Sequence, residues 1–156
     1  MITEDNLKIC EEYHWQDDSS KCHRVLGDLD ADSGKHVSAR KHYDEAMRIA
    51  RSISNRTVLI EALLARGRWY GKFMKDANAA FSDLNEVLGY ATDGGYRIYE
   101  ADIRIALAWA HLADNEKPIE ERKKFAQNEA DRARNMSEQM GYYWGKIDAA
   151  EVIAKM

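Results

Sequence analysis

The segment LGDLDADSGKHVSARKHYDEAMRIA, residues 26–50, decides the fold predicted for this chain. Apolar residues recur at helical spacing on both sides of Asp32-Ser33-Gly34, whose residue types are typical of caps and turns. The small residues Gly27, Ala39 and Ala46 lie where two helices joined by that turn must touch. The segment therefore predicts a tight antiparallel helix pair. It contains no nucleophile motif, phosphate-binding loop or metal-ligand spacing.

The composition predicts one soluble, all-α domain. The chain has 156 residues, of which 45% are hydrophobic and 32% are charged, so it can form a core of its own and is too apolar for general disorder. Helix-favouring residues recur, and there is a single proline. The formal charge of −4 argues against a nucleic-acid partner and against an anionic membrane surface.

The sequence also predicts a cytoplasmic location. It has no apolar window of about 18 residues, the length that would span a membrane. It begins MITEDNLKIC, an acidic start without the basic and apolar regions of a secretory signal. Two cysteines are too few for a disulfide framework, so a reducing compartment is expected.

The helix-pair pattern repeats along the chain. Its first-helix anchors Gly27, Gly67 and Ala106 are separated by 40 and 39 residues. The segments 57–71 and 96–110 align with each other without a gap. A regular period of this length is typical of stacked helical repeats, because a single helix pair cannot bury its own apolar face.

The repeats predict seven helices after an initial helical segment. The helices are placed at about 17–33, 36–53, 57–74, 77–91, 96–113, 118–139 and 142–155. Residues 1–15 are interpreted as the tail of a preceding helix. The whole chain, 1–156, is predicted to be a single domain with repeats at about 16–54, 55–93 and 94–140 and a terminal helix over 141–156.

The repeat resembles the tetratricopeptide repeat, or TPR. Leu26-Gly27 is followed by Ala39, Tyr43 and Ala46 at the spacing of that family, and the other two copies keep part of the pattern. The period near 40 residues rather than about 34, and the absence of a closing proline, depart from it. The residues predicted to pack the helix pairs are Leu26, Gly27, Ala39, Tyr43, Ala46, Gly67, Tyr70, Ala80, Ala106, Trp109 and Ala126.

The resemblance implies a right-handed superhelix of antiparallel helix pairs, an α-α solenoid, with a concave groove for a protein or peptide. In that family, particular positions of each first helix face the groove. Carried over to this sequence, they are Lys21, Arg24, Asp28, Glu61, Leu64, Arg68, Lys72, Glu100, Ile103, Leu107 and His111. Degenerate repeats of this length are similar to the TPR arrays of large bacterial signalling proteins of the STAND type.

Two other patterns have alternative interpretations. Cys10, His14, Cys22 and His23 are of metal-ligand type, and zinc binding, a disulfide and simple packing remain open, with packing favoured. The four tryptophans indicate either an aromatic ligand cage or core packing. Core packing is favoured because two of them lie near the aromatic position of the repeat.

The predicted function is a non-enzymatic scaffold for protein–protein interaction, part of a longer TPR array in a multidomain signalling protein. No catalytic residue, metal site or cofactor is predicted, because no histidine lies beside a plausible nucleophile within a supporting motif. An enzyme fragment or a metal-dependent regulatory domain is the competing class. Further alternatives are a self-association module and a regulatory or sensor domain of a nucleotide-dependent switch protein. Large apolar residues near both ends, among them Tyr13 and Trp144, favour end-to-end self-association.

Overall fold

The computed structural model describes residues 2–156, and these form eight α-helices, one short π-helical segment and no β-strand. The elements in chain order are α1 Ile2–Glu12, α2 Gln16–Asp32, α3 His36–Ser52, α4 Arg56–Trp69, the π-helical segment Tyr70–Met74, α5 Ala77–Gly94, α6 Arg97–Ala113, α7 Ile119–Met140 and α8 Tyr143–Ala154. The predicted all-α class is confirmed.

Glycines end helices, and side-chain caps begin them, where the sequence predicted breaks. Gly34, Gly95 and Gly141 have φ angles of 74°, 69° and 68°, a left-handed conformation that residues with a Cβ rarely adopt. The Asn55 side chain accepts hydrogen bonds from the first backbone N–H groups of α4, at 3.1 and 3.3 Å. Asp76 accepts one from Ala79 N at 3.0 Å and so caps α5.

The end of the predicted helix 57–74 differs from expectation. Regular α-helix stops at Trp69, and Tyr70–Met74 form a π-helical turn. Lys75 follows with a φ angle of 55°, and Asp76 N–H donates to the Tyr70 carbonyl over 3.0 Å. In a π turn the backbone hydrogen bonds span one residue more than in an α-helix, and hydrophobic periodicity does not reveal this change.

Contacts between the helices divide the chain into two compact units, one up to Arg66 and one over Gly67–Met156. The predicted single domain stays a prediction. In the first unit, α2 packs against both α1 and α3. A Cβ built on Gly27 of α2 would lie 2.8 Å from the Tyr43 ring of α3, so only glycine allows this approach. The Ser20 hydroxyl of α2 donates to the Ala46 carbonyl of α3 over 2.9 Å.

In the second unit, α6 is the central helix. It packs against the π-helical segment, α5, α7 and α8. A Cβ on Gly67 would lie 2.7 Å from the Leu84 side chain of α5, and one on Gly71 would lie 3.2 Å from the backbone of Ala110 in α6. The core between α6, α7 and α8 consists largely of alanines, which let the helix axes approach closely.

Most residues predicted to pack the helix pairs are buried. Tyr70 is half-buried, and the buried ones are Leu26, Gly27, Ala39, Tyr43, Ala46, Gly67, Ala80, Ala106, Trp109 and Ala126. Trp69 and Trp109 are both buried, which agrees with core packing rather than with an open ligand cage.

Replacing Ala80 by leucine is expected to lower the free energy of unfolding by about 1–3 kcal/mol, because Ala80 is fully buried and added methyl groups overpack a filled core. Urea unfolding measures this change. Ser82→Leu on the exposed side of the same helix is the control, and it should have a much smaller effect. Equal stability of the Ala80→Leu variant and the parent chain would contradict the packing described here.

Candidate interaction surfaces

The predicted groove residues of α2 are joined to one another and to α3. Arg24 Nη1 donates to Asp28 Oδ2 over 3.3 Å, and the Tyr43 hydroxyl donates to Asp28 Oδ1 over 2.7 Å. Lys21 is exposed and lies 3.5 Å from Asp18. Asp28 therefore ties α2 to α3, and a ligand at this carboxylate would compete with both contacts.

Three aliphatic members of the predicted groove are buried. Ile103 has no exposed surface, and Leu64 and Leu107 retain only 9% and 3% of theirs. A partner cannot touch a buried side chain, so these three residues act in packing in this structure. Of the charged members, Arg68 is exposed and Glu61 is half-buried.

The last members of the predicted groove are engaged within the second unit. Lys72 Nζ lies 3.1 Å from Glu151 Oε1 and 5.0 Å from the centre of the Trp109 ring. The His111 ring lies between Phe81 and Phe125, with centroid distances of 4.9 and 5.3 Å. Burial lowers the pKa of His111, so its ring packs there in the neutral form.

A buried ion triad joins α6 to α7. Arg104 donates to Glu100 Oε1 through Nε and Nη2, at 3.0 and 2.7 Å, and to Glu129 Oε2 through Nη1 at 3.0 Å. Burial disfavours the charged form of the guanidinium and so lowers the pKa of Arg104. The hydrogen bonds to both carboxylates outweigh this effect, and the net result is a raised pKa. The TPR resemblance predicted that Glu100 would face the groove, whereas in this structure it binds Arg104. The four-residue spacing of Glu100 and Arg104 was the available signal, whereas Glu129 is recruited only by the packing of α7.

A half-buried carboxyl, that of Asp102, joins α6 to the start of α8. The Tyr142 hydroxyl donates to the two oxygens of Asp102 at 3.0 and 3.3 Å. Burial raises the pKa of Asp102 to about 6, against the opposing effect of the Tyr142 hydrogen bond. Burial and the nearby Asp102 charge raise the pKa of Tyr142 to about 12. These residues are 40 apart in the sequence, and no local pattern marks them as a pair.

The predicted cysteine and histidine cluster is only partly assembled. Cys10 is buried and Cys22 is half-buried, and both are free thiols. Burial, and then the hydrogen-bonded Cys10, raise the pKa of the Cys22 thiol. His23 instead pairs with His42, their Nδ1 atoms lying 3.0 Å apart. His14 is exposed and has a φ angle of 57°.

Within residues 2–156, no three His, Cys, Asp or Glu side chains are grouped so that they would hold a metal ion. Burial and the neighbouring His42 lower the pKa of His23, which favours its neutral ring. The His23–His42 contact is therefore a hydrogen bond between two imidazole rings.

The final helix exposes three large apolar side chains, named here the α8 aromatic surface and defined by Tyr143, Trp144 and Ile147. These side chains are 59%, 63% and 45% exposed. Ile147 lies four residues after Tyr143 and three after Trp144, so it is a neighbour of both on the helix surface. The exposed residues Ala150 and Ala154 continue this face. The opposite face of α8 carries Gly145, Ala149 and Val152, all of them buried.

The first unit has exposed apolar residues of its own. Ile9, Tyr13 and Trp15 are 44%, 60% and 53% exposed, and the rings of Tyr13 and Trp15 stack with centroids 5.4 Å apart. Both exposed sets include residues that the sequence analysis proposed for self-association.

No protein-family model matches this chain, and the comparison with curated proteins finds none that is similar to it. Among residues 2–156, the helices are all too short or too polar to cross a lipid bilayer.

Proposed function

We propose that this chain is a non-enzymatic protein-interaction module built from TPR-like helix pairs, and that the α8 aromatic surface is where a partner docks. The observation that carries the proposal is the two-sided apolar character of α8. One face packs against its own unit, and the other presents a tryptophan, a tyrosine and an isoleucine to solvent.

An isolated exposed apolar residue is ordinary, but three large ones clustered on one helix are not. Helices that are apolar on both sides normally have neighbours on both sides. Tryptophan and tyrosine are also the residues that most often dominate the binding energy of protein interfaces. The cluster lies on a helix, so the partner surface it fits is another apolar helix face.

The TPR-like part of the proposal is supported by equivalent contacts in two repeats. Gly27 approaches Tyr43, and Gly67, which is 40 residues later, approaches Leu84 at the matching position of the second helix. Ala39, Ala80 and Ala126 occupy one repeat position and are all fully buried. We propose that the pairs continue in chain order as a right-handed superhelix, which a crystal structure would test.

A photo-crosslinking amino acid at position 144 tests the partner site in cells that produce the chain. We expect covalent adducts at position 144 and few at position 37, because Val37 is even more exposed, at 77% against 63%, but is not part of the α8 aromatic surface. The crosslinked protein is then purified and its binding measured with the parent chain and with Trp144→Glu. Equal adduct patterns at the two positions, or equal binding by Trp144→Glu, would refute the docking site.

Self-association is the second candidate, and the exposed Ile9, Tyr13 and Trp15 favour it because they offer an apolar face to the α8 aromatic surface of another copy. In that case the adduct at position 144 contains two copies of this chain. Sedimentation equilibrium should then show mass rising with concentration, and less so for Trp144→Glu or Tyr13→Glu than for Val37→Glu. A mass that stays monomeric at every concentration rejects self-association and leaves a different protein as the partner.

A further inference from the structure

We propose that a cavity beside Trp109 binds a carboxylate that carries a short hydrocarbon group. The cavity has a volume of about 340 Å³ and lies in the second unit. This volume is at the lower end of the range for small-ligand sites. None of its lining residues belongs to the α8 aromatic surface, so this proposal does not depend on the proposed function.

The apolar part of the cavity is formed by Trp109, Leu112 and Ile119, and Ala113 adds to it. Trp109 is largely buried but retains 9% of its surface, Leu112 is half-buried and Ile119 is exposed at the start of α7. An aliphatic chain or a single ring would remove these surfaces from water.

The charged part of the cavity is entirely positive. Lys75, Lys123 and Lys155 line it, and no carboxylate does. Within residues 2–156, none of these lysines forms an ion pair, and two acids of the same unit are paired with other lysines. Asp114 lies 3.4 Å from Lys117, and Glu151 lies 3.1 Å from Lys72. Three ammonium groups around an apolar floor favour a bound anion.

The backbone at Lys75 gives independent support for this site. Its φ angle of 55° is uncommon for a residue with a side chain, and it follows the π-helical turn. Unusual φ angles and π turns both occur preferentially at functional sites. The conformation places Lys75 Nζ 5.8 Å from the centre of the Trp109 ring, at the boundary between the apolar and charged parts.

Asn115 adds a polar donor to the same cavity. Its Oδ1 atom accepts a hydrogen bond from Arg122 Nη1 at 2.8 Å, so the side-chain NH₂ group is what it can offer to a ligand. A carboxylate accepts hydrogen bonds from both ammonium and amide donors. The same chemistry is presented by a free hydrocarbon acid and by the C-terminal residue of a peptide that ends in an apolar side chain.

Two probe pairs separate these sources. The first is 4-phenylbutyrate with its neutral amide, and the second is acetyl-Ala-Ala-Ala-Leu with a free or an amidated C-terminus. Binding is followed by NMR through the indole N–H of Trp109. We expect saturable shifts with at least one acid, with a Kd on the order of 1 mM for the small acid, and at least about tenfold weaker binding of the matching amide.

Variants connect the binding to the cavity. The double variant Lys123→Gln with Lys155→Gln should bind the acid about tenfold more weakly or worse. The control, Lys124→Gln with Lys146→Gln, changes the net charge equally but lies outside the cavity, so its affinity should not change in this way. Ile119→Asp should abolish binding, and Ile98→Asp, at the start of α6 and similarly exposed, should not.

Binding by the peptide acid alone identifies a peptide C-terminus, and binding by phenylbutyrate alone identifies a free acid. Binding by both supports a general site for apolar carboxylates. No saturable shift with either acid, equal binding of acids and amides, or equal losses in the cavity and control variants would overturn the proposal.

Discussion

Replacing Arg104 by methionine is expected to lower the free energy of unfolding by about 3–5 kcal/mol near neutral pH. The guanidinium lies within hydrogen-bond distance of two largely buried carboxylates, with Glu100 at 2.7 Å and Glu129 at 3.0 Å. Methionine keeps much of the side-chain length but cannot donate. The two carboxylates would then repel each other in a position that water hardly reaches.

A triple variant separates the loss of charge balance from the loss of packing. In Arg104→Met with Glu100→Gln and Glu129→Gln, no charge remains at the triad, so stability should return to within about 1 kcal/mol of the parent chain. Arg134→Met removes an exposed ion pair to Asp131 on α7 and should cost less than about 1 kcal/mol.

Chemical unfolding of these variants at neutral and acidic pH measures each difference. The single Arg104 variant should recover part of its loss in acid, because protonation removes the uncompensated charges. A loss for Arg104→Met no larger than that for Arg134→Met would show that the triad is not an important part of the α6–α7 contact.

Replacing Asp102 by asparagine is expected to stabilise the protein by about 2 kcal/mol at neutral pH, with an upper bound of about 3 kcal/mol. Burial raises the pKa of Asp102 from its ordinary value of 3.8 to about 6. At neutral pH the folded protein must therefore hold a charge that its surroundings disfavour. Asparagine is neutral and keeps an oxygen that accepts from Tyr142.

The pH dependence follows from the direction of this shift. The folded state binds a proton at Asp102 more tightly than the unfolded chain does, so this stabilisation is complete below about pH 4 and is lost as the pH rises through about 6. The asparagine variant should lack this loss. The two proteins should have similar stability in acid and diverge toward neutral pH.

The groups that face Asp102 refine the expected profile. Tyr142 and Arg68 lower the pKa of Asp102, whereas Asp148 raises it. Tyr142→Phe should therefore move the midpoint of the pH dependence to higher pH. Urea unfolding of the parent chain, Asp102→Asn and Tyr142→Phe across this range measures all three curves. A constant difference between the parent chain and Asp102→Asn at every pH would refute the buried-carboxyl interpretation.

Helix content and helix limits could be predicted because their causes are local. Gly34, Gly95 and Gly141 end helices through φ angles that other residues rarely adopt. Asp76 supplies a cap from its own side chain. Gly27 and Gly67 similarly indicated close contacts between helices, because a glycine has no Cβ and lets a neighbouring helix approach.

The candidate sites could be predicted only in part. Tyr13 and Trp144 were predicted to favour self-association as large apolar residues near the two ends, and both are exposed in this structure. The groove positions of Ile103 and Leu107 were taken from a family pattern, and in this structure both side chains are buried. A position in a family repeat predicts where a residue lies on its helix. Whether the side chain of that residue is buried depends on which helices surround it.

The sequence by itself determined an all-α chain, the positions of its turns and the small residues at its helix contacts, because these depend on backbone conformation and on neighbours within a few residues. The tertiary structure alone decided the partners of Arg104 and Asp102, the lysine-lined cavity beside Trp109 and the π-helical turn after Trp69. Each of these depends on side chains brought together from different helices, or on one extra residue in a turn. Hydrophobic spacing along the chain carries no information about either.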